Sequence, residues 1–142
     1  MSLPIWKDIE AAYIAGIVDG EGCIGIYEKC NAGNFIQLTI ANTDKGLIDY
    51  LQTMLHSNAV KSPKDKRPRN KQSYSVTVDR ERAHAVIKRI FPYLRVKNPQ
   101  ASLALRFKAW QNDRCGGYSK EEREVFRNYI ATSRQLNKKG SA

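Results

Sequence analysis

The residues best placed to do chemistry stand together in one short string, Ile14-Ala15-Gly16-Ile17-Val18-Asp19-Gly20-Glu21-Gly22. An apolar helical stretch ends there in two carboxylates, separated and followed by glycine. Glycine at a helix end relieves the left-handed C-cap and calls for no function. The acids do. A helix C-terminus carries the negative end of the dipole, so Asp19 and Glu21 are mildly unfavourable there without a compensating charge. A bound metal ion would supply one. Ala15 and Gly16 are small enough to let the helix press closely on another. An apolar docking surface thus runs directly into a carboxylate, and the string occurs once.

Composition indicates what such a site would act on. The chain has 142 residues and 42% hydrophobic content, enough for one domain (1–142) with a real core. Its 24 Lys and Arg stand against 14 Asp and Glu, a net charge of +10 and a pI near 9.7. That is the electrostatic footprint of a polyanion binder. Cys23, Cys30 and Cys115 are odd in number with no paired spacing, and read as reduced thiols in an intracellular protein. A bacterial or phage cytoplasm and an organelle fit equally. His56 and His84 are isolated, so no zinc site is expected. With no signal peptide and no apolar run near transmembrane length, no membrane partner is expected either.

The elements that must position the acids follow from periodicity. Ile9, Ala12, Tyr13, Gly16 and Ile17 recur at helical spacing and predict a helix from about Asp8 to Val18. After Gly22 the period becomes two. Ile24 and Ile26 alternate with Gly25, Tyr27 and Lys29. Residues 30–34 make a turn, and Ile36, Leu38 and Ile40 alternate with Phe35, Gln37 and Thr39, completing a hairpin with one dry face. Asn42 or Thr43 is placed to cap a second helix bearing Leu47, Ile48, Leu51, Met54 and Leu55. A short strand at 58–62 and a strand through Tyr74, Val76 and Val78 precede a third helix. That helix is capped by Asp79, buries Ala83, Val86, Ile87 and Ile90, and stops before Pro92. Asn98-Pro99 opens a fourth helix. Ser119 and Glu122 form a capping box for a last one, running to the mid-130s and frayed from Asn137 onward.

The nine-residue string resembles the LAGLIDADG motif of homing endonucleases. Ile14 stands for the first Leu, Ala15 and Gly16 match, Ile17 and Val18 stand for Leu and Ile, and Asp19 matches. Gly20 replaces Ala, Glu21 replaces the last Asp, and Gly22 matches. The predicted order of elements is also that family's. The resemblance implies an α+β fold: an α-β-β-α-β-β-α core over about 8–110, a curved antiparallel DNA-binding sheet, and a C-terminal helical extension over about 111–142. It implies that Glu21 is a metal-binding carboxylate, with the carbonyl of Gly20 as a second ligand and Mg²⁺ as the ion. Glu is one methylene longer than Asp, which shifts where the metal would lie. Asn42, at the end of the second strand, stands where the family often places a polar side chain near the attacking water. Lys97 stands where a basic residue of the family points into the active site. Plain helix capping for Asn42 and a solvated lysine for Lys97 are the alternatives.

One acid per chain is too few for a two-metal site. The resemblance implies a homodimer in which two such helices meet, through Tyr13, Ala15, Gly16 and Asp19, with Asp19 also bracing the helix end. A twisted sheet can lie in the DNA major groove and offer alternate side chains to base edges. Gly25, Tyr27, Lys29, Phe35, Gln37, Thr39, Ser73, Ser75 and Thr77 are the candidates. Lys61, Lys64, Lys66, Arg67, Arg69 and Lys71 belong to a Pro-rich loop read as lying on phosphates. The expectation is therefore a homodimeric endonuclease that makes a metal-dependent double-strand cut in a long, partly palindromic duplex, with no small-molecule substrate. An RNA intron maturase and a non-catalytic DNA-binding regulator on the same fold are its rivals.

Overall fold

The computed structural model describes residues 5–29, 33–61, 72–112 and 118–138. The elements run α1 (Asp8–Glu21), β1 (Gly22–Lys29), β2 (Gly33–Asn42), α2 (Lys45–Leu55), β3 (Ala59–Lys61), β4 (Tyr74–Asp79), α3 (Arg80–Ile90), a single 3-10 turn (Phe91–Tyr93), α4 (Asn98–Asn112) and α5 (Lys120–Leu136). The four strands form one antiparallel sheet in the order β1-β2-β4-β3. This is the expected core order and sheet.

Strict alternation divides the sheet into two faces, because successive side chains on a strand point oppositely. Ile24 pairs with Leu38 and Ile26 with Ile36, while Leu38 and Ile40 pair on with Val78 and Val76. All seven side chains are buried in one cluster with Ala11, Ile14, Ala15 and Val18 of α1, Ile48 and Leu51 of α2, Val86 and Ile90 of α3, and Phe107 of α4. The helices therefore cover this face. The opposite face carries Cys23, Gly25, Tyr27, Phe35, Gln37, Thr39, Ser75 and Thr77, and among the described residues no helix crosses it.

Several helix ends differ from the sequence reading. α1 runs on through Glu21, and Gly22 caps it with its N–H bonded to the Val18 carbonyl. α2 is capped by neither Asn42 nor Thr43 but by Asp44, whose side chain accepts the Leu47 amide at 2.9 Å. Asn42 acts one step earlier, accepting the Asp44 amide at 2.8 Å. Asp79 stands at the N-cap of α3 but makes no cap hydrogen bond there; its carboxylate lies 3.2 Å from the Arg80 guanidinium. Arg80 itself has φ +53°, a left-handed conformation that side chains with a Cβ rarely adopt. The capping box of α5 forms as read: Ser119 accepts the Glu122 amide at 3.2 Å and donates its own amide to Glu122 at 2.9 Å. Asn137 is tied down rather than frayed, donating to the Ile24 carbonyl at 2.7 Å. Cys23 is a free thiol; Cys30 and Cys115 lie outside the described residues. Among the described residues no helix is long and apolar enough to cross a membrane.

Candidate active site and nucleic-acid interface

The end of α1 organises the candidate site. Asp19 is partly buried and fully engaged. Its Oδ1 accepts the amides of Val96 at 3.0 Å and Lys97 at 2.9 Å, and its Oδ2 accepts that of Arg95 at 2.9 Å. Three successive backbone N–H groups, far along the chain, thus clasp one carboxylate. Burial alone would raise the Asp19 pKa, but these amide bonds, with the nearby Lys97 charge, hold it below the ordinary carboxylate value. Asp19 is consequently an anchor. It fixes the segment bearing Lys97 against the helix end that bears Glu21.

Glu21, two residues on, is exposed. Gly20 beside it would meet nothing within 4 Å if it carried a Cβ, so the backbone there is open. The last turn of α1 contains no basic residue to offset the dipole. A carboxylate and open backbone at the negative end of a helix form a hard-oxygen environment of the kind a divalent cation takes. Among the described residues, no three His, Cys, Asp or Glu side chains gather at one point. With Asp19 engaged, Glu21 is the exposed carboxylate that this helix end offers among the described residues.

Asn42 lies two positions beyond the pair Gly22–Ile40, at the end of β2 that adjoins the α1–β1 junction. It shares an open pocket with Tyr13, Asp44, Gly46, Leu47 and Tyr50. Tyr13 and Tyr50 meet edge to face, with centroids 5.7 Å apart. The Asp19 clasp thus brings the Lys97 backbone to the end of α1 that bears Glu21, while Asn42 stands by the α1–β1 junction in a pocket with Tyr13.

The faces of α1 sort the residues expected at a seam between chains. Ala15 is completely buried in its own chain, alongside Ala11, Ile14 and Val18. It cannot line a seam with a second chain, contrary to the sequence reading. The open face instead carries Ile9, Ala12, Tyr13, Gly16 and Gly20. Ile9 is 77% exposed and Tyr13 55%. Gly16 would meet no atom within 4 Å of an added Cβ. Asp19 is committed to the 95–97 amides.

The open face of the sheet presents ordered rows. Cys23, Thr39 and Thr77 stand side by side across three strands, the two threonine hydroxyls 3.1 Å apart. Gly25, Gln37 and Asp79 make the next row. Tyr27 and Phe35 make the third, with ring centroids 6.2 Å apart. The Tyr27 ring folds back over Gly25, since a Cβ there would lie 2.6 Å from its hydroxyl oxygen. That hydroxyl reaches the Cys23 thiol at 3.9 Å. Burial, helped by Cys23, pushes the Tyr27 pKa up to about 12. Phe35 is only 7% exposed, because Tyr27 lies against it and the Arg80 guanidinium sits 4.6 Å over its ring. It is a floor for these groups and not itself open to a base edge. Ser73 and Ser75 continue the parity of Thr77. Lys61 pairs with Tyr74. Strand alternation therefore gives it the helix-side parity, although it is exposed at the sheet edge. Lys29 ends β1. Lys64, Lys66, Arg67, Arg69 and Lys71 lie outside the described residues.

Sequence reasoning missed three members of this surface. Cys23 carried a usable signal, since it shares the period-two parity of Gly25 and Tyr27. Asp79 did too, as the parity of Thr77 alternates onto it through the pair with Gln37. Arg80 carried none, for it reaches Phe35 from a left-handed residue that no pattern announces.

A family model described as a LAGLIDADG-like domain matches residues 8–90. No curated protein matches the chain. Among solved structures it is similar to the homing endonuclease I-CvuI in complex with its target in the presence of 2 mM Ca: 18% identity, 95% of this chain, 87% of that one, TM-score 0.66. It is also similar to I-CvuI with another target in the presence of 2 mM Mg, where the DNA is not cleaved, at 17% identity, 94% and 86% coverage, and TM-score 0.65. A third is the group I intron-encoded homing endonuclease I-CeuI complexed with DNA, at 14% identity, 94% and 68% coverage, and TM-score 0.60. At such identities the likeness is one of fold.

Proposed function

This chain belongs to the LAGLIDADG-like domain family, and from that premise we propose that it is a site-specific DNA endonuclease, acting as a homodimer to make a metal-dependent double-strand cut. The observation that carries the reading is the division of labour at the end of α1. Asp19 is consumed by three amides, whereas Glu21 stands exposed beside the open backbone of Gly20. A structural motif would require the first acid and not the second.

The open face of α1 explains the pairing. A second copy laid on Ala12, Gly16 and Gly20 meets small residues, so backbones approach closely, while Ile9 and Tyr13 supply apolar area. A self-complementary patch of this kind yields a two-fold dimer, and the dimer brings two Glu21 carboxylates together. Divalent metal, with Mg²⁺ the ion we favour, would be held by Glu21 and the Gly20 carbonyl. When bound it supplies neutralisation of the phosphate, an activated water and a stabilised leaving oxygen. The chain's own groups do the rest. Lys97, placed by Asp19, offsets charge growing on the phosphate. Asn42 presents a polar group near the attacking water. The open face of the sheet, with its threonine row, Gln37, Asp79 and the Tyr27 stack, reads base edges in the major groove.

The test is Glu21→Gln, which keeps shape and removes the charge. Genes of this family usually lie inside introns or inteins, so cutting and gel shift are measured on one duplex spanning the uninterrupted form of the host sequence around this gene, with Mg²⁺. Cutting should be abolished and binding largely spared. Undiminished cutting by the variant would remove Glu21 from the metal site. Cleavage by neither protein, with binding intact, would favour a non-catalytic DNA-binding role.

A further inference from the structure

We propose that the outer face of α5 is a second DNA-binding element, a track of basic side chains that grips backbone phosphates beside the open face of the sheet. The inference rests on the reading above that this face meets duplex DNA. It concerns a helix outside the residues the family model matches.

Four basic residues, Lys120, Arg123, Arg127 and Arg134, fall at spacings of three, four and seven along α5. At about 100° per residue they occupy an arc of only about 60°. All four are exposed, and none forms an ion pair with another described residue. Ala131 lies next to the stripe, and Glu124 borders it. A face this uniform in sign and free of internal partners keeps its charge for something outside the chain.

The orientation of the helix says where that charge is delivered. Ser133, buried on α5, accepts the Ile26 amide at 3.0 Å, and Asn137 donates to the Ile24 carbonyl at 2.7 Å. These are backbone groups of β1, an edge strand, on the side away from β2. Four residues forward on α5 correspond to two residues back on β1, about 6 Å in each case. The helix thus runs along the strand edge in the opposite direction. On another side α5 packs against α4: Tyr129 meets Phe107 with centroids 5.3 Å apart, and the Leu136 carbonyl accepts Gln100 at 3.1 Å. Turning about the α5 axis from Tyr129 and Leu136, one reaches Ser133 and Asn137 after about 70° and the basic stripe after a further 90° or so. Since α4 lies under the helix-covered face of the sheet, continuing past the β1 edge leads to the open face. The stripe therefore flanks the surface bearing Tyr27, Gln37 and Thr39. From Lys120 to Arg134 it spans about 21 Å, the rise of about six base pairs.

The experiment replaces Arg123, Arg127 and Arg134 together by Gln, which keeps most of the side-chain length and the helix propensity, and by Lys, which restores the charge. The probe is a fluorescein-labelled 30-base-pair duplex of arbitrary sequence, followed by anisotropy over a range of KCl. The slope of log K against log salt should be shallower in the Gln variant than in wild type by about 2.7 per bound chain, about 5.4 for the dimer, at about 0.9 for each duplex phosphate that is no longer neutralised. The Lys variant should recover it. Equal slopes in wild type and the Gln variant, with both folded by thermal melting, would overturn the proposal while leaving the endonuclease reading intact. If the Gln variant does not fold, Arg127→Gln alone serves, with an expected change of about 0.9 per bound chain, about 1.8 for the dimer. Loss of binding to phosphatidylserine vesicles by the Gln variant, with its DNA slope unchanged, would also overturn it and assign the stripe to a membrane surface. Loss of cutting in Glu21→Gln does not bear on this slope, so the two readings fail separately.

Discussion

Removing the Asp19 carboxylate should unfasten the end of α1 from the segment that carries Lys97. In Asp19→Ala the amides of Arg95, Val96 and Lys97 lose their acceptor, at 2.9, 3.0 and 2.9 Å. A hydrogen bond to a charged group contributes about 1.5–3 kcal/mol, and a buried donor left bare costs a similar amount. Arg95 and Val96 are exposed, so water replaces most of what they lose, whereas Lys97 is partly buried. The sum is then about 2–4 kcal/mol, well short of three full contributions. For a chain of this size that corresponds to roughly 5–15 °C in Tm. Asp19→Asn can keep the oxygen that serves Val96 and Lys97 but faces the Arg95 amide with a donor, so about half the loss is expected. Urea titration at pH 7 measures both. The pH dependence supplies a second check. The folded pKa of Asp19 lies below its ordinary value, so the unfolded chain binds the proton more readily and stability rises with pH through that window. The gap between wild type and Asp19→Ala should be fully present above about pH 4 and close as pH falls through the depressed folded value. An Asp19→Ala protein within about 0.5 kcal/mol of wild type, or a gap that persists unchanged into strong acid, would refute the anchor.

Two further outcomes follow from the same geometry. Gly16→Leu should fold normally, because a Cβ there meets no atom within 4 Å, and should gain up to about 1 kcal/mol from helix propensity. It should nevertheless fail to pair or cut, since the added side chain stands in the seam between two α1 helices. Sedimentation with and without target DNA tests this, and a variant that still dimerises and cuts would displace the seam from α1. Lys97→Met should slow single-turnover cleavage by about 10²-fold or more while changing DNA affinity by less than about tenfold, as expected for a group acting on transition-state charge. A change confined to affinity would make Lys97 an ordinary phosphate contact.

Local pattern alone determined the elements and the two faces of the sheet. The alternation of Ile24, Ile26, Ile36, Leu38 and Ile40 with polar or small residues reflects a period of two, and a strand can satisfy that only with one face dry. The motif string, the Ser119 capping box and the excess of basic residues were equally legible, because each is a property of neighbouring residues or of the whole composition. Tertiary structure decided the rest. Ala15 and Gly16 differ by only about 100° around α1, so which of them faces the core depends on where the sheet docks, and the helix buried Ala15 and left Gly16 open. Asp19 and Glu21 look alike in sequence. They part company because amides 76 to 78 residues away close on one and not the other. The same holds for Arg80 over Phe35 and for Ser133 and Asn137 on the β1 edge. Periodicity is a short-range record of which side of an element is apolar, whereas a hydrogen bond between distant segments exists only once the packing of the whole chain has brought donor and acceptor within about 3 Å.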